Sequence, residues 1–198
     1  MLWLSTSTLS RLRDQLRERG QRPSIVTPPN STPEMVEAMN NATEYGPLCE
    51  AMYLMMSADS DVSEAEREVL KGALRNLSGD ALRTAHIDAL LADAIQKIAD
   101  DGREKRMAEV VAALKGDAGR AEVAFVLAAA IAFADNAIAD EENETLNTFA
   151  EGLGISDDRA EALLDSVDAD LAEHPKNTGA EDDAATPTEG ESGASGAT

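Results

Sequence analysis

The sequence has few of the residue types that build most catalytic and cofactor sites. Cysteine occurs once, at Cys49, which excludes an internal disulfide and a zinc site with several cysteines. The two histidines, His86 and His174, form no helical metal-binding pair and give Cys49 no neighbouring partner in the sequence. We therefore expect a protein that is not an enzyme.

Positive charge and aromatic residues are also scarce. The 198 residues contain 17 Lys and Arg against 38 Asp and Glu, a formal net charge of −21. A chain this acidic repels a phosphate backbone, and aromatic residues make up only 3% of it, too few for base stacking. We expect no binding to nucleic acid.

Long hydrophobic runs are absent as well. The longest covers residues 123–134, well below the roughly 20 apolar residues that span a bilayer. The opening residues 1–4 are too short for the core of a secretory signal, and positive charges follow them instead of preceding them. We expect a protein that is not transmembrane and that is cytoplasmic, with peripheral attachment to a membrane left open.

Two composition changes divide the chain. Residues 23–33 contain four prolines and read as a linker, whereas residues 172–198 contain no large apolar residue and are predicted to be a disordered acidic tail. The domain is therefore placed at residues 34–171. Every segment of it has the periodicity of a helix, with no alternation typical of a strand. The predicted helices cover residues 33–58, 63–77, 84–99, 103–114, 122–134, 140–153 and 156–171.

The first predicted helix leaves one question open, because an interruption near Gly46-Pro47 is compatible with the pattern. The segment before the linker, residues 1–22, is basic and places Leu9, Leu12 and Leu16 on one side of a short helix. Such a helix docks on an anionic membrane or a partner, or it folds back on its own acidic domain or frays.

An internal repeat relates residues 58–70 to residues 134–146 at a shift of 76 positions. Each copy follows an apolar helix and opens the next one. The identical pairs are Ala58 and Ala134, Asp59 and Asp135, Glu66 and Glu142, Glu68 and Glu144, and Leu70 and Leu146. The sequence thus predicts an all-α fold, a compact bundle of about seven helices built from two related helix-turn-helix halves.

The acidic turns are not EF-hand loops. That loop requires glycine at position 6 and glutamate at position 12. Counted from Asp59 these positions hold Glu64 and Leu70, and counted from Asp135 they hold Asp140 and Leu146. A twelve-residue calcium loop is therefore excluded at both turns.

The repeated motif, an apolar helix followed by Ala-Asp-x-x-(Val/Ile)-x-(Asp/Glu)-x-Glu-x-x-x-Leu, resembles the tellurite-resistance TerB-like family. That family includes the membrane-tethered N-terminal domain of the DjlA co-chaperones. The resemblance covers about residues 40–170 and is closer in the second copy, where Phe149-Ala150 and the stretch 153–156 also match. Ser60 and Asn136 stand where the family usually has glycine. The resemblance implies an all-helical acidic module linked to stress response, divalent-metal binding and membrane-linked assemblies, without established catalysis.

The acidic residues of the turns have two explanations. Ser63 followed by Glu66 is a capping box, and acids suit a helix N-terminus. In the second copy Ala139 replaces the serine, so capping explains Glu142 less well. The alternative is a Ca²⁺ or Mg²⁺ site, because the ligands are hard oxygens only. The candidate ligands are Asp59, Asp61 and Glu66 at one turn and Asp135, Asp140 and Glu142 at the other.

The function that these patterns favour is a non-catalytic stress-response or interaction module with a protein partner, tuned by a divalent cation at the two turns. The second hypothesis is an adaptor that uses its acidic helical surface without metal. The third is a hydrolase that uses the same carboxylates. A basic cluster at Lys97, Arg103, Lys105 and Arg106 indicates a solvated face that complements helix ends, or a dock for a partner.

Overall fold

The computed structural model describes residues 5–18, 25–57, 62–79, 81–132 and 140–173. This part of the chain is all-α and contains no strand, which confirms the predicted fold class. Its eight helices are α1 (Thr6–Glu18), α2 (Pro33–Met56), α3 (Glu64–Ser78), α4 (Thr84–Asp101), α5 (Arg103–Leu114), α6 (Ala118–Ala132), α7 (Asp140–Leu153) and α8 (Asp157–Glu173).

The seven helices predicted for the domain correspond to α2 through α8. The bounds of α5 and α7 are those predicted, and the others differ by a few residues. The predicted acidic tail lies outside the described residues from position 174 onward, and so does part of the predicted linker, residues 23 and 24. The domain limits stay a prediction.

Helix α6 lies at the centre of the bundle. It packs against α1, α2, α5, α7 and α8, and 12 of its 15 residues are buried. A helix that is apolar on all sides needs neighbours on all sides. The described part of this apolar run, residues 123–132, therefore forms the core rather than a surface.

Helix α2 continues through Pro47, so the interruption that the sequence left open does not occur. A proline has no N–H, which leaves the carbonyl four residues earlier, that of Thr43, without its usual helical donor. The Nη2 atom of Arg120, on α6, donates to the carbonyl oxygens of Thr43 and Glu44, both at 2.8 Å. A residue from another helix thus replaces the missing backbone donor.

A buried ion pair joins α5 to α2. Glu50 is 4% exposed and Arg106 is 8% exposed. The Nε and Nη2 atoms of Arg106 donate to Oε1 and Oε2 of Glu50, at 2.6 and 3.0 Å. These bonds raise the pKa of Arg106, so the guanidinium stays charged inside the protein. The two-pronged geometry specifies how α5 lies against α2.

Helix α1 folds back on the domain, the second of the two arrangements that its sequence allowed. Leu9, Leu12 and Leu16 are buried in the same hydrophobic core as the domain helices. The helix packs against α3 and α6. Helix α1 of the basic N-terminal segment therefore packs against its own domain through its leucines, on two helices whose acidic and basic residues balance.

The order of the helices agrees with the repeat. Met56 ends α2 and Glu64 begins α3, while α6 reaches Ala132 and α7 includes Asp140, on either side of residues 133–139, which lie outside the described residues. Both acidic turns thus connect an apolar helix to an acidic helix start. That the two halves share one helix-turn-helix architecture stays a prediction.

Candidate functional site: the two acidic turns

The six predicted metal ligands fall on different parts of the structure. Glu66 lies in the first turn of α3 and is the one whose side chain is described. Asp140 and Glu142 lie in the first turn of α7, where the backbone alone is described. The three others lie outside the described residues: Asp59, Asp61 and Asp135. The predicted ligand set is therefore not tested and stays a prediction.

Glu66 forms the predicted capping box with Ser63. Its Oε2 atom accepts hydrogen bonds from the backbone N–H and the hydroxyl of Ser63, both at 2.7 Å. In return, the hydroxyl oxygen of Ser63 accepts from the N–H of Glu66 at 3.3 Å. Both of these bonds end on Oε2, so the capping box uses one oxygen of the carboxylate.

The residues at both edges of the first turn are described. Ser57 ends α2, and its carbonyl oxygen and hydroxyl accept from Nη1 of Arg103 at 2.5 and 2.7 Å. At the other edge, Val62 is buried. A guanidinium therefore lies beside the first acidic turn, where it opposes a bound cation. The sequence showed Arg103 only as part of a basic cluster and did not indicate this contact.

The rest of that basic cluster is paired within the chain. Lys97 contacts Asp93, and Lys105 contacts Asp101, each with an N–O distance of 2.5 Å. The hydrogen bond to Asp101 raises the pKa of Lys105. These contacts favour the interpretation in which the cluster complements its own helices over the one in which it docks a partner.

A family model described as tellurite resistance protein TerB matches residues 48–165, more than half of the chain. The chain belongs to this family. The match confirms the predicted resemblance and reaches from α2 into α8. The curated proteins and the solved structures were also compared with the chain, and neither comparison found a match.

The rest of the described TerB chain has no other candidate metal site. Within residues 5–173, leaving out the gaps in the description, no three His, Cys, Asp or Glu side chains are grouped so as to hold an ion. Nor does any helix there combine the length and the apolar character that a membrane crossing needs. The acidic turns stay the candidate site of this TerB domain.

A cavity of about 350 Å³ opens between α6 and α8 of the TerB domain. Its one carboxylate, Glu122, accepts from Nε and Nη2 of Arg159, both at 2.8 Å. These bonds lower the pKa of Glu122, which is therefore ionised at neutral pH. A paired, ionised carboxylate is a poor general acid, so the cavity offers no support for the hydrolase hypothesis.

Cys49 lies in the core of the TerB domain and is 0% exposed. Burial raises the pKa of its thiol to about 12. Because the thiolate is the reactive form, this residue is unsuited to act as a nucleophile at neutral pH.

Proposed function

We propose that this TerB-family protein is a non-catalytic interaction module whose two acidic turns bind Ca²⁺ or Mg²⁺. The observation that carries the proposal is the charge of α7. This helix contains five acidic residues and no Lys or Arg, and its first turn holds two of the predicted ligands, Asp140 and Glu142. A helix start that is rich in carboxylates, on a helix with no basic residue of its own, attracts a hard divalent cation.

The two turns differ in their expected affinity. In the first half, Glu66 gives one oxygen to the capping box, and the guanidinium of Arg103 lies at the edge of the turn. Both features weaken cation binding there. The second turn leads into a helix without any cation of its own, so we propose that it binds more tightly than the first.

The proposed role is one of assembly and stress response. Tellurite resistance is the property named for the family, and a cation that neutralises part of the acidic surface changes which protein partners can approach it. We propose that the protein acts in the cytoplasm, with partners that include membrane-associated ones.

Thermal unfolding of the full chain tests the cation site. The midpoint is measured with EDTA, with Ca²⁺ and with Mg²⁺, at low salt and at about 1 M salt, where charges more than about 3 Å apart are screened. A ligand at ten times its dissociation constant stabilises the native state by about 1.4 kcal/mol. We expect a higher midpoint with a divalent cation at both salt concentrations.

Matched variants locate the effect. Asp135→Asn with Glu142→Gln removes two carboxylates from the second turn, and Asp59→Asn with Glu66→Gln removes two from the first. The control, Asp165→Asn with Asp168→Asn, removes the same charge from exposed positions of α8. We expect the second-turn variant to lose most of the stabilisation and the control to keep it. Equal losses in all three variants, or an effect that salt abolishes, would show attraction by net charge alone.

The metal-free adaptor is supported by one observation. Helices α7 and α8 together contain twelve acidic residues and one basic residue, Arg159. Such a surface attracts a basic partner by charge alone. If cations leave the midpoint unchanged, while the α8 control variant weakens partner binding, the adaptor function is the correct one.

A further inference from the structure

Helix α1 packs against the domain with one side, and polar contacts lie at the rim of that side. Leu9, Leu12 and Leu16 enter the core. At the rim, Nη2 of Arg11 donates to the hydroxyl oxygen of Ser166 at 3.0 Å, and Nε2 of Gln15 donates to Oε2 of Glu122 at 3.1 Å. Three leucines and a polar rim are the pattern by which an amphipathic helix binds in a groove.

Helix α1 lies outside the family match and is joined to the domain by a connection that includes a non-helical stretch. The TerB match begins at residue 48 and so excludes α1. Between α1 and α2, residues 25–32 are not helical and contain Pro28 and Pro29. A non-helical connection of this kind lets the helix leave and rebind without a change in the bundle.

The surface beneath α1 is apolar and is formed by domain helices. Helix α3 contributes its buried side to this region, and α6 is buried nearly all round. Without α1, part of this apolar surface would be exposed to water. That exposure costs free energy, so binding of an apolar helix side to the surface is favourable. Because both helices lie within the matched residues 48–165, the surface that α1 covers is formed by the TerB domain.

The end of the groove selects a basic occupant. Gly79 ends α3 in a left-handed conformation, with φ of 60°. The side chains of Arg13 and Arg17 lie over it so closely that a Cβ atom at this position would be 2.8 Å from Nη2 of Arg17. The C-terminal end of a helix carries partial negative charge, which attracts guanidinium groups. The groove thus combines an apolar floor with an end that favours arginine.

We propose that the groove between α3 and α6 is a docking site for a basic amphipathic helix of a partner protein, and that α1 is its resident competitor. The partner helix presents leucines at positions i, i+3 and i+7 with arginines at their edges. It binds by displacing α1. This proposal does not depend on the cation site, because none of the residues that hold α1 belongs to either acidic turn.

The test measures binding of a fluorescent peptide of residues 5–18 to the full chain and to its Leu12→Asp variant. A charged residue at this buried position releases α1. Ser7→Asp, on the exposed side of α1, is the matched control. A tethered helix competes at an effective concentration of about 1 mM. We expect the peptide to bind the Leu12→Asp chain at least about tenfold more tightly than the wild-type and Ser7→Asp chains.

Two peptides complete the test of recognition. A peptide that itself carries Leu12→Asp is expected not to bind, and a peptide with Arg11, Arg13 and Arg17 replaced by Gln is expected to bind more weakly. Absence of peptide binding to a folded Leu12→Asp chain overturns the proposal. Peptide binding to phosphatidylglycerol vesicles, without binding to that chain, overturns it as well and identifies α1 as a membrane helix.

Amide hydrogen exchange of the wild-type chain keeps the proposal testable if Leu12→Asp fails to fold. Local release of α1 lets its amides exchange faster than those of α6 by at least about tenfold, because they need no global unfolding. Equal protection of α1 and α6 would show that α1 is an integral core helix, and the proposal would be wrong.

Discussion

Helices α3 and α7 occupy corresponding positions of the repeat but differ in charge. Helix α3 contains three acidic and three basic residues, whereas α7 contains five acidic residues and no basic one. The next helices show the same contrast, since α4 has four acids and one lysine, and α8 has seven acids and one arginine. The repeat therefore preserves the positions of the helices without preserving their electrostatics.

The pairing within the first half shows what its acids do. Nζ of Lys71 contacts Glu68 at 2.8 Å and Asp88 at 3.1 Å, so it links α3 to α4. Glu66 caps α3. These three carboxylates of the first half therefore have structural roles. Helix α7 contains no Lys or Arg of its own, and we infer that its acids bind an external cation.

The apolar helices of the two halves also differ in charge at a buried position. Glu50 of α2 corresponds, at the shift of 76, to Val126 of α6, and both are buried. The first half therefore contains a buried carboxylate that the second half replaces by a methyl-bearing side chain. The partner of that carboxylate, Arg106, comes from α5, which lies between the halves in sequence.

The largest loss of stability is expected when Glu50 is replaced by the valine found at the corresponding position of the second half. Glu50→Val leaves the buried guanidinium of Arg106 without its main partner, and we expect a loss of about 3 kcal/mol in the free energy of unfolding. Urea unfolding followed by circular dichroism measures it. The control is Glu50→Val with Arg106→Met, which removes both charges and is expected to recover most of the loss. A single variant as stable as the wild type would contradict this account.

A smaller loss of stability is expected from removing the serine cap of the first half, whose counterpart in the sequence of the second half is Ala139. Ser63→Ala takes away the hydroxyl that bonds to the N–H of Glu66. We expect a loss of about 1 kcal/mol, measured by urea unfolding. Ser63→Thr is the control, because threonine keeps the capping oxygen. If Ser63→Ala costs nothing, the capping explanation of Glu66 fails and a ligand role gains support.

The smallest loss of stability is expected from replacing Arg159, the one basic residue of α7 and α8. Arg159→Gln removes the donor that lowers the pKa of Glu122. A carboxylate with a lowered pKa stabilises the fold above its unfolded pKa of about 4.3, and this contribution disappears as the pH falls through its folded pKa. We expect a loss of less than about 1 kcal/mol at pH 7, because Arg159 is half exposed.

The pH dependence of stability checks this prediction. Unfolding of wild type and Arg159→Gln is compared between pH 7 and pH 3. The two curves are expected to converge in acid as Glu122 becomes protonated. A difference that persists unchanged at pH 3 would show that Arg159 acts by packing instead of by charge.

The sequence was sufficient for those parts of the fold that depend on local chemistry. Periodicity and the Ser63 cap predicted the helices closely, because these signals act within a few residues. The continuity of α2 through Pro47 was not predictable, since Arg120 supplies the missing donor from 76 and 77 positions away. Contacts between distant residues leave no local pattern.

The candidate site shows the same limit. Sequence reasoning placed Glu66 correctly in a capping box. It did not predict Arg103 beside the first turn, and it treated Arg106 as part of a solvated cluster although the residue is buried against Glu50. In both cases the position of the guanidinium depends on a partner that is distant in the sequence.

The single thiol of Cys49 can be used to measure how often the helix bundle opens. Because the residue is buried on α2 and its pKa is raised to about 12, alkylating reagents reach it only when α2 separates from its neighbours. With no second cysteine in the chain, every modified molecule records one such event. The rate at which the protein gains mass in iodoacetamide therefore measures how often the bundle opens around Cys49. The same measurement applies to any variant and needs no added label.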